Sequence, residues 1–250
     1  MIQPDTRRQM TREDAQLAIR LVCRESSDAS GGGAACERDL QARLANEGLD
    51  AVLDDPRLPP ALMQDPMAAL VSLRLFTYVM VRYVLRRMGE EDRVIGDYAA
   101  ALVLAFGVRD RSRRCDDHDD ETYDTLADLL RDAEGRDAGR SYRVRAHLGN
   151  YALWLSGLYP DHIEHRRWRR GGPQLEYYEA MGKRGFAMAA EHPSARARGT
   201  AELYAAMAER FVTLRVALTG FSDALLFPNV HTPERLMRQV RDETRWRWTQ

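Results

Sequence analysis

With 250 residues, 44% hydrophobic and 30% charged, the chain has the composition of an ordinary globular protein and can form one large domain or two small ones. The three cysteines, Cys23, Cys36 and Cys115, are odd in number and form no CxxC pair, so we expect a reducing compartment and no disulfide framework. No apolar run follows the N-terminal segment, which argues against a signal peptide. A cytoplasmic bacterial protein is the expected class.

The formal net charge of −1 hides two halves of opposite sign. Residues 1–134 contain 18 arginines and 26 acidic residues, a net charge of −8, whereas residues 135–250 have a net charge of +7. Opposed halves can attract each other within one fold, or they can leave a basic surface for an anionic partner. The sequence leaves both alternatives open.

Sparse Gly and Pro and long windows of Ala, Leu, Arg and Glu at helical spacing predict an all-α fold, a bundle of about eight to ten helices. The first helix, of about 14 residues, is expected from Thr11, with Asp14 completing a capping box. The glycine run in residues 26–35 predicts a flexible loop. A second helix follows and ends near Gly48. We therefore expect an N-terminal helical hairpin over residues 1–55 and a main bundle domain over residues 60–250.

The stretch from residue 66 to about residue 106 has the densest apolar content. It predicts two helices that form the central hairpin of the bundle. A membrane-spanning role is disfavoured because Arg74 and Arg82 lie inside the apolar run, and each costs about 2.5 to 3.5 kcal/mol at a bilayer centre. No membrane span is expected.

The charged connection after this hairpin contains Asp116, Asp117 and Asp120 in a DDxxD spacing. This spacing resembles the motif with which all-helical isoprenoid synthases hold Mg²⁺ against a substrate diphosphate, and carboxylate oxygens suit that cation. The resemblance covers five residues, and no second acidic motif follows it. The alternative is that these acids cap the next helix and interact with its dipole.

Four of the six histidines lie in residues 147–192. His147 shares one helix face with Tyr151, Trp154 and Leu158, which is typical of a packed face but also of a metal or haem ligand among aromatic residues. His162 and His165 are three residues apart and can converge on a transition metal with further ligands. A bound metal, Mg²⁺ or a transition metal, is therefore an alternative, although no cofactor is favoured.

Residues 166–170 read Arg-Arg-Trp-Arg-Arg, the most distinctive surface motif in the chain. Guanidinium groups around an indole can bind phosphate and stack on a base or on a partner's aromatic side chain. A solvated helix end is the alternative explanation. A second set of arginines winds along one side of the last helix and can dock within the fold, bind nucleic acid or contact a partner. The candidate anion or partner surface comprises Arg166, Arg167, Trp168, Arg169, Arg170, Arg238, Arg241 and Arg245.

Two mid-helix glycines, Gly182 and Gly185, lie on one side of the following helix. Each costs about 1 kcal/mol relative to Ala, so their presence predicts that another backbone, or a ligand, approaches closely. The residues GLYP followed by YYEAMGKRGF resemble a block of uncharacterised bacterial helical proteins. That resemblance implies an all-helical fold and brings no activity.

The remaining chain predicts one long helix over residues 201–226 and a last helix that is capped by Thr232. The distinctive residues form surfaces and packing faces more than a catalytic set. A non-enzymatic interaction or scaffold protein, with a protein partner or a homo-oligomer, is therefore the favoured function. A metal-dependent helical-bundle enzyme and a nucleic-acid-binding protein are the alternatives.

Overall fold

The computed structural model describes residues 1–25, 32–108, 111–116, 121–133 and 138–239, and every regular element in these ranges is helical. The predicted all-α class is confirmed. In the described residues, the α-helices with defined bounds are α1 (Arg12–Glu25), α2 (Gly33–Glu47), α3 (Asp50–Leu53), α4 (Leu58–Gln64), α5 (Leu73–Arg87), α6 (Arg93–Phe106), α7 (Leu126–Ala133), α8 (Ala138–Leu158), α9 (Pro160–Arg170), α10 (Leu175–Glu191), α11 (Pro193–Ala197), α12 (Ala201–Glu209) and α13 (Phe211–Phe221).

The expected number of eight to ten helices is not confirmed, because the described part of the chain is divided into more and shorter elements. The long helix expected over residues 201–226 is interrupted at Arg210, whose ψ of 11° is not helical. Nη1 of Arg210 donates to both carboxylate oxygens of Glu90, at 2.9 and 3.0 Å. A π-helical turn, Ser222–Leu226, follows α13. Neither Gly nor Pro occurs at the break at Arg210. The apolar periodicity of the sequence therefore continues across it and gives no sign of the interruption.

The chain forms two compact units. The N-terminal unit contains Gln3–Arg87 and Glu91–Leu104, and the C-terminal unit contains Met1–Ile2, Met88–Glu90 and Ala105–Gln250. The boundary expected near residues 55–60 falls inside the N-terminal unit.

In the N-terminal unit, α1 packs against α2, α3 and α4. The predicted capping box is present: the backbone N–H of Asp14 donates to Oγ1 of Thr11 at 3.1 Å, and that of Thr11 donates to Oδ2 of Asp14 at 2.9 Å. The core between these helices is aliphatic, with Leu21, Leu40 and Leu58 fully buried. The side chains on the inner face of α1 thus fix its orientation against the rest of the unit.

A disulfide joins Cys23 of α1 to Cys36 of α2. The expectation of no disulfide is therefore wrong. The odd number of cysteines gave no sign of the bond, and the third cysteine, Cys115, is buried and forms no disulfide in the described residues. Residues 26–31, part of the predicted flexible loop, lie between the two bonded cysteines and outside the described residues.

Removal of this disulfide is expected to destabilise the N-terminal unit by about 3 kcal/mol, because a cross-link that closes a loop of this length restricts the unfolded chain by about that amount. Urea unfolding of the Cys23→Ser/Cys36→Ser variant measures the loss. Dithiothreitol should lower the wild-type midpoint and leave that of the variant unchanged. Equal midpoints for wild type and variant would show that the bond does not stabilise the fold.

α8 is the central helix of the C-terminal unit. It packs along α10 over most of its length and also contacts α7 and α13. The predicted central hairpin of residues 66–106 is not confirmed, since α5 and most of α6 belong to the N-terminal unit. None of the helices in the described ranges combines the length and apolar character needed to cross a membrane.

Gly185 of α10 allows the close packing of α8 and α10, and Gly182 of α10 allows the ring of Phe211 of α13 to approach. A Cβ atom at Gly185 would lie 2.6 Å from the backbone N of Gly149, and a Cβ at Gly182 would lie 2.1 Å from the ring of Phe211. The prediction that another backbone approaches this side of α10 is confirmed. This packing fixes α8, which leads directly into α9.

Candidate functional site

The candidate functional site is the carboxyl end of α9, in the C-terminal unit. Pro160 occupies the first turn of α9, where its missing N–H leaves no hydrogen bond unmade. Ile163 and Glu164 are buried and anchor the first half of the helix. The helix stops at Gly171, whose φ of 64° is in the left-handed region that favours glycine. Residues 166–170, the α9 tip, lie between this anchored half and the stop.

The α9 tip is exposed over most of its circumference. Consecutive residues of an α-helix are about 100° apart, so five in succession point in all directions around the axis. Arg167 is partly covered, and the other four side chains of the tip are exposed. The tip therefore presents side chains to solvent on most sides of the helix.

Three arginines of the tip have no ion pair within the described ranges. These are Arg166, Arg169 and Arg170. The fourth, Arg167, has its Nη1 atom 3.6 Å from Oε2 of Glu164, one turn earlier. Three cationic groups thus face solvent at one helix end, where the helix dipole also favours positive charge.

Trp168 stands among these arginines with 73% of its surface exposed. The guanidinium of Arg167 lies over its ring, 5.6 Å from the ring centroid. An indole provides a large apolar area and one N–H donor, and side chains of this kind usually lie in cores or interfaces. The tip therefore combines an apolar contact area with cations that make no ion pair in the described structure.

Arg238, predicted on the same surface, is instead an interior residue. It is 3% exposed, and its Nε donates to Oδ1 of Asp161 at 2.9 Å. Its Nη2 donates to Oδ1 of Asp223, also at 2.9 Å. Arg235, one turn earlier, pairs with the same two aspartates. Arg238 thus does not belong to the solvent-facing surface.

The sequence left open whether the C-terminal arginines dock within the fold, bind nucleic acid or contact a partner, and the structure answers this for two of them. Residues 233–239 are helical, and the backbone N–H of Arg235 donates to Oγ1 of Thr232, the predicted cap. Arg235 and Arg238 dock within the fold, on carboxylates of the second half of the chain. Arg241 and Arg245 lie outside the described residues.

His162 and His165 are both exposed near the base of the tip. Nδ1 of His165 lies 3.4 Å from Oε1 of Glu234. Burial lowers the pKa of His162, and the positive charge of Arg166 lowers it further. The two histidines therefore border the cationic tip.

His147 lies elsewhere, in a buried aromatic cluster on α8. It is 3% exposed, stacks on Tyr151 with ring centroids 6.1 Å apart, and lies 5.4 Å from the ring of Phe106. Tyr151 in turn stacks on Trp154, so the predicted shared face is confirmed. Nε2 of His147 has no hydrogen-bond partner in the described part of the chain. This environment favours the neutral imidazole.

Burial lowers the pKa of His147 to about 3, and the nearby charge of Arg111 lowers it as well. Because this value lies below the 6.5 of a free imidazole, protonation favours the unfolded state. The contribution of His147 to stability is complete above pH 6.5 and decreases as the pH falls towards 3. We expect wild type to lose about 2 kcal/mol through this residue between pH 7 and pH 5.

Urea unfolding of wild type and of His147→Phe at both pH values checks this expectation. The variant should lose about 2 kcal/mol less than wild type over that interval. His231→Gln, a change at an exposed histidine, should behave as wild type does. Identical losses for wild type and His147→Phe would contradict a buried neutral histidine.

Metal-ligand groups are not assembled in the described ranges. No set of three or more His, Cys, Asp or Glu side chains there is placed to hold a metal ion. The structure thus does not bring His147, His162 and His165 together as ligands. Of the DDxxD residues, Asp116 is described, whereas Asp117 and Asp120 lie outside the described residues. A magnesium site at that motif stays a prediction.

Two tyrosines beside the tip were not among the predicted site residues. Burial raises the pKa of Tyr151 and of Tyr178, and the positive charge of Arg166 opposes the rise at both. Arg166 therefore lies near phenol groups of α8 and α10. No local pattern connects these residues, since they lie on three different helices and only tertiary packing brings them together.

Comparison with protein-family models, with curated proteins and with solved structures gives no match to this chain. The function must therefore be inferred from the geometry alone.

Proposed function

We propose that the chain is a protein-interaction module whose α9 tip inserts into an acidic recess of a partner protein. The observation that carries the proposal is the tip itself. Arg166, Arg169 and Arg170 make no ion pair in the described structure and surround Trp168, which is 73% exposed. Trp and Arg are the residue types that contribute most binding energy at protein interfaces.

The shape of the tip favours a protein partner over a nucleic acid. Single strands bind in grooves that follow several phosphates and offer aromatic platforms beside them. The tip spreads its arginines around a helix, so one strand would meet only some of them. A recess with carboxylates on several sides can meet all of them while it buries the indole.

Some arginines of the C-terminal unit make ion pairs in the described structure and others do not, and this difference also supports the α9 tip as the binding surface. Arg215, Arg235 and Arg238 are buried and bound to carboxylates of the C-terminal unit. Those residues therefore contribute to the fold, whereas the cations of the tip are available for an external anion. Charge complementarity at an interface speeds association and selects the partner.

Binding of a labelled copolymer of glutamate and tyrosine, measured by fluorescence anisotropy, tests the proposal. This probe supplies carboxylates and aromatic rings on a polypeptide backbone. We expect Trp168→Ala and Arg169→Ala/Arg170→Ala each to weaken binding by about tenfold, the effect of losing an interface side chain worth about 1.4 kcal/mol. Arg196→Ala, which removes an exposed arginine elsewhere in the same unit, should leave the affinity unchanged.

An oligothymidylate serves as the competing probe in the same assay. Tighter binding of the oligonucleotide, with the same dependence on the tip arginines, would replace the protein partner with a nucleic acid. Copolymer binding that is insensitive to both tip variants would reject the α9 tip as the binding surface.

A second copy of the chain is one acidic partner that can be tested directly, since residues 1–134 have a net charge of −8. Sedimentation of the protein alone at low salt gives its oligomeric state. Association that Arg169→Ala/Arg170→Ala abolishes would identify the second copy as the partner. A monomer at all concentrations would exclude self-association and direct the search to a different protein.

A further inference from the structure

A cavity of about 260 Å³ lies within the N-terminal unit, beside the turn between α3 and α4 and along one side of α5. Its volume is just below the usual range of about 300 to 1,000 Å³ for sites that bind small molecules. None of its lining residues belongs to the α9 tip.

Apolar side chains form part of the cavity wall. Leu53 and Val79 are buried residues of α3 and α5, and Pro59 of α4 also lines the cavity. Tyr83, one turn after Val79, adds its ring to the lining. A ligand in the cavity therefore meets hydrocarbon.

Three arginines of α5 also line the cavity. Arg82 is 4% exposed, and its Nη1 donates to the backbone oxygen of Glu91 at 3.0 Å, which fixes it in place. Arg86 is exposed and has Nε 3.2 Å from Oε2 of Glu91. Arg87 is exposed and lies over the ring of Tyr83, 5.8 Å from its centroid. In the described ranges, Arg87 makes no ion pair.

The acidic residues on the lining pair with arginines on and off the lining, and Nε of Arg82 itself lies 3.4 Å from Oδ1 of Asp54. Oδ2 of Asp54 accepts from Nη2 of Arg93 at 2.7 Å. Oδ2 of Asp55 accepts from Nη2 of Arg57 at 2.9 Å. The remaining acid, Glu91, is 66% exposed, so water screens its interaction with Arg86. Of the three arginines, Arg87 thus keeps an uncompensated positive charge within the described ranges.

We propose that this cavity binds a small organic monoanion, a carboxylate on a compact apolar body. The carboxylate accepts hydrogen bonds from Arg86 and Arg87, and the body packs against Leu53, Pro59 and Val79. Planar guanidinium groups match the geometry of a carboxylate, and hydrogen bonds between them are charge-assisted. The apolar wall distinguishes such a ligand from inorganic phosphate, which has no hydrocarbon to bury.

Isothermal titration calorimetry of the full-length protein with benzoate tests the proposal. Benzoate combines one carboxylate with a flat apolar ring and fits the available volume. We expect saturable binding with Kd on the order of 1 mM or below, as is reasonable for a ligand of this size. Arg87→Gln should weaken binding by about tenfold or more through loss of a charge-assisted hydrogen bond. Arg87 is exposed, so the variant is expected to fold.

Arg20→Gln is the matched control, since Arg20 is an exposed arginine of α1 that does not line the cavity. Its affinity for benzoate should equal that of wild type. Benzamide, the neutral analogue, should bind at least about tenfold more weakly than benzoate, because it lacks the charge. Equal binding of benzamide, equal binding of inorganic phosphate, no saturable benzoate binding, or an unchanged Kd in Arg87→Gln would each overturn the proposal.

Discussion

Gly185→Ala is expected to destabilise the C-terminal unit by about 2–3 kcal/mol, although alanine forms helices better than glycine by about 1 kcal/mol. The added methyl group would lie 2.6 Å from the backbone N of Gly149 and 3.0 Å from the backbone O of Arg145. Both neighbours are backbone atoms of α8, so no side-chain rotation relieves the overlap. α8 and α10 must move apart, and the packing along both helices is weakened.

Urea unfolding of Gly185→Ala against wild type measures this loss. Gly220→Ala is the matched control, because a Cβ atom at Gly220 of α13 would have no neighbour within 4 Å. That substitution should stabilise the unit by about 0.5–1 kcal/mol through helix propensity alone. Stabilisation by both substitutions would show that α8 and α10 are not in close contact at Gly185.

Arg238→Met is expected to destabilise the C-terminal unit by about 3 kcal/mol, since removal of one partner from a buried ion pair leaves uncompensated charge behind. Arg238 is 3% exposed and binds Asp161 and Asp223, both at 2.9 Å. After the substitution, Arg235 remains, among the arginines of the described ranges, to pair with the two carboxylates. Methionine keeps most of the hydrocarbon part of the arginine side chain. The loss in the free energy of unfolding is therefore due mainly to removal of the positive charge.

Arg169→Met, the same change at the α9 tip, serves as the control for Arg238→Met. We expect a change within about 0.5 kcal/mol, because Arg169 is exposed and has no ion pair in the described structure. Thermal or urea unfolding of the two variants separates structural arginines from those free to bind a partner. Equal effects of the two substitutions would remove the distinction on which the proposed surface depends.

Local features of the fold could be predicted because a few neighbouring residues determine them. The capping box of Thr11 and Asp14 was predicted from spacing and is present. The close approach of another backbone at Gly185 was predicted because glycine inside a helix has a cost that only packing explains. The shared face of His147 and Tyr151 follows from the helical repeat.

Features that depend on tertiary contacts could not be predicted in this way. The break at Arg210 coincides with an ion pair to Glu90, which is distant in sequence. The interior position of Arg238 depends on Asp161 and Asp223, and no spacing rule connects these three residues. The cysteine pairing was missed for a related reason: an odd number of cysteines does not specify which two come together.

The candidate site was predicted in part. The Arg/Trp motif of residues 166–170 identified the tip, but composition could not separate its cations from the buried arginine of the last helix. In the sequence both sets are arginine-rich helix ends. Only the burial and the ion pairs of their side chains distinguish them. The cavity of the N-terminal unit gave no sequence signal, because α3, α4 and α5 together form its lining.

The measurement that tests the α9 tip most directly is a ¹H–¹⁵N spectrum of the tryptophan indoles during titration with the glutamate–tyrosine copolymer. Trp168→Phe assigns the indole signal of Trp168, and Trp154, inside the aromatic cluster, provides an internal reference. We expect the Trp168 signal to shift saturably, with the same Kd as in the anisotropy assay, while the Trp154 signal stays in place. A constant Trp168 signal at copolymer concentrations that saturate binding would contradict the assignment of the α9 tip as the binding surface.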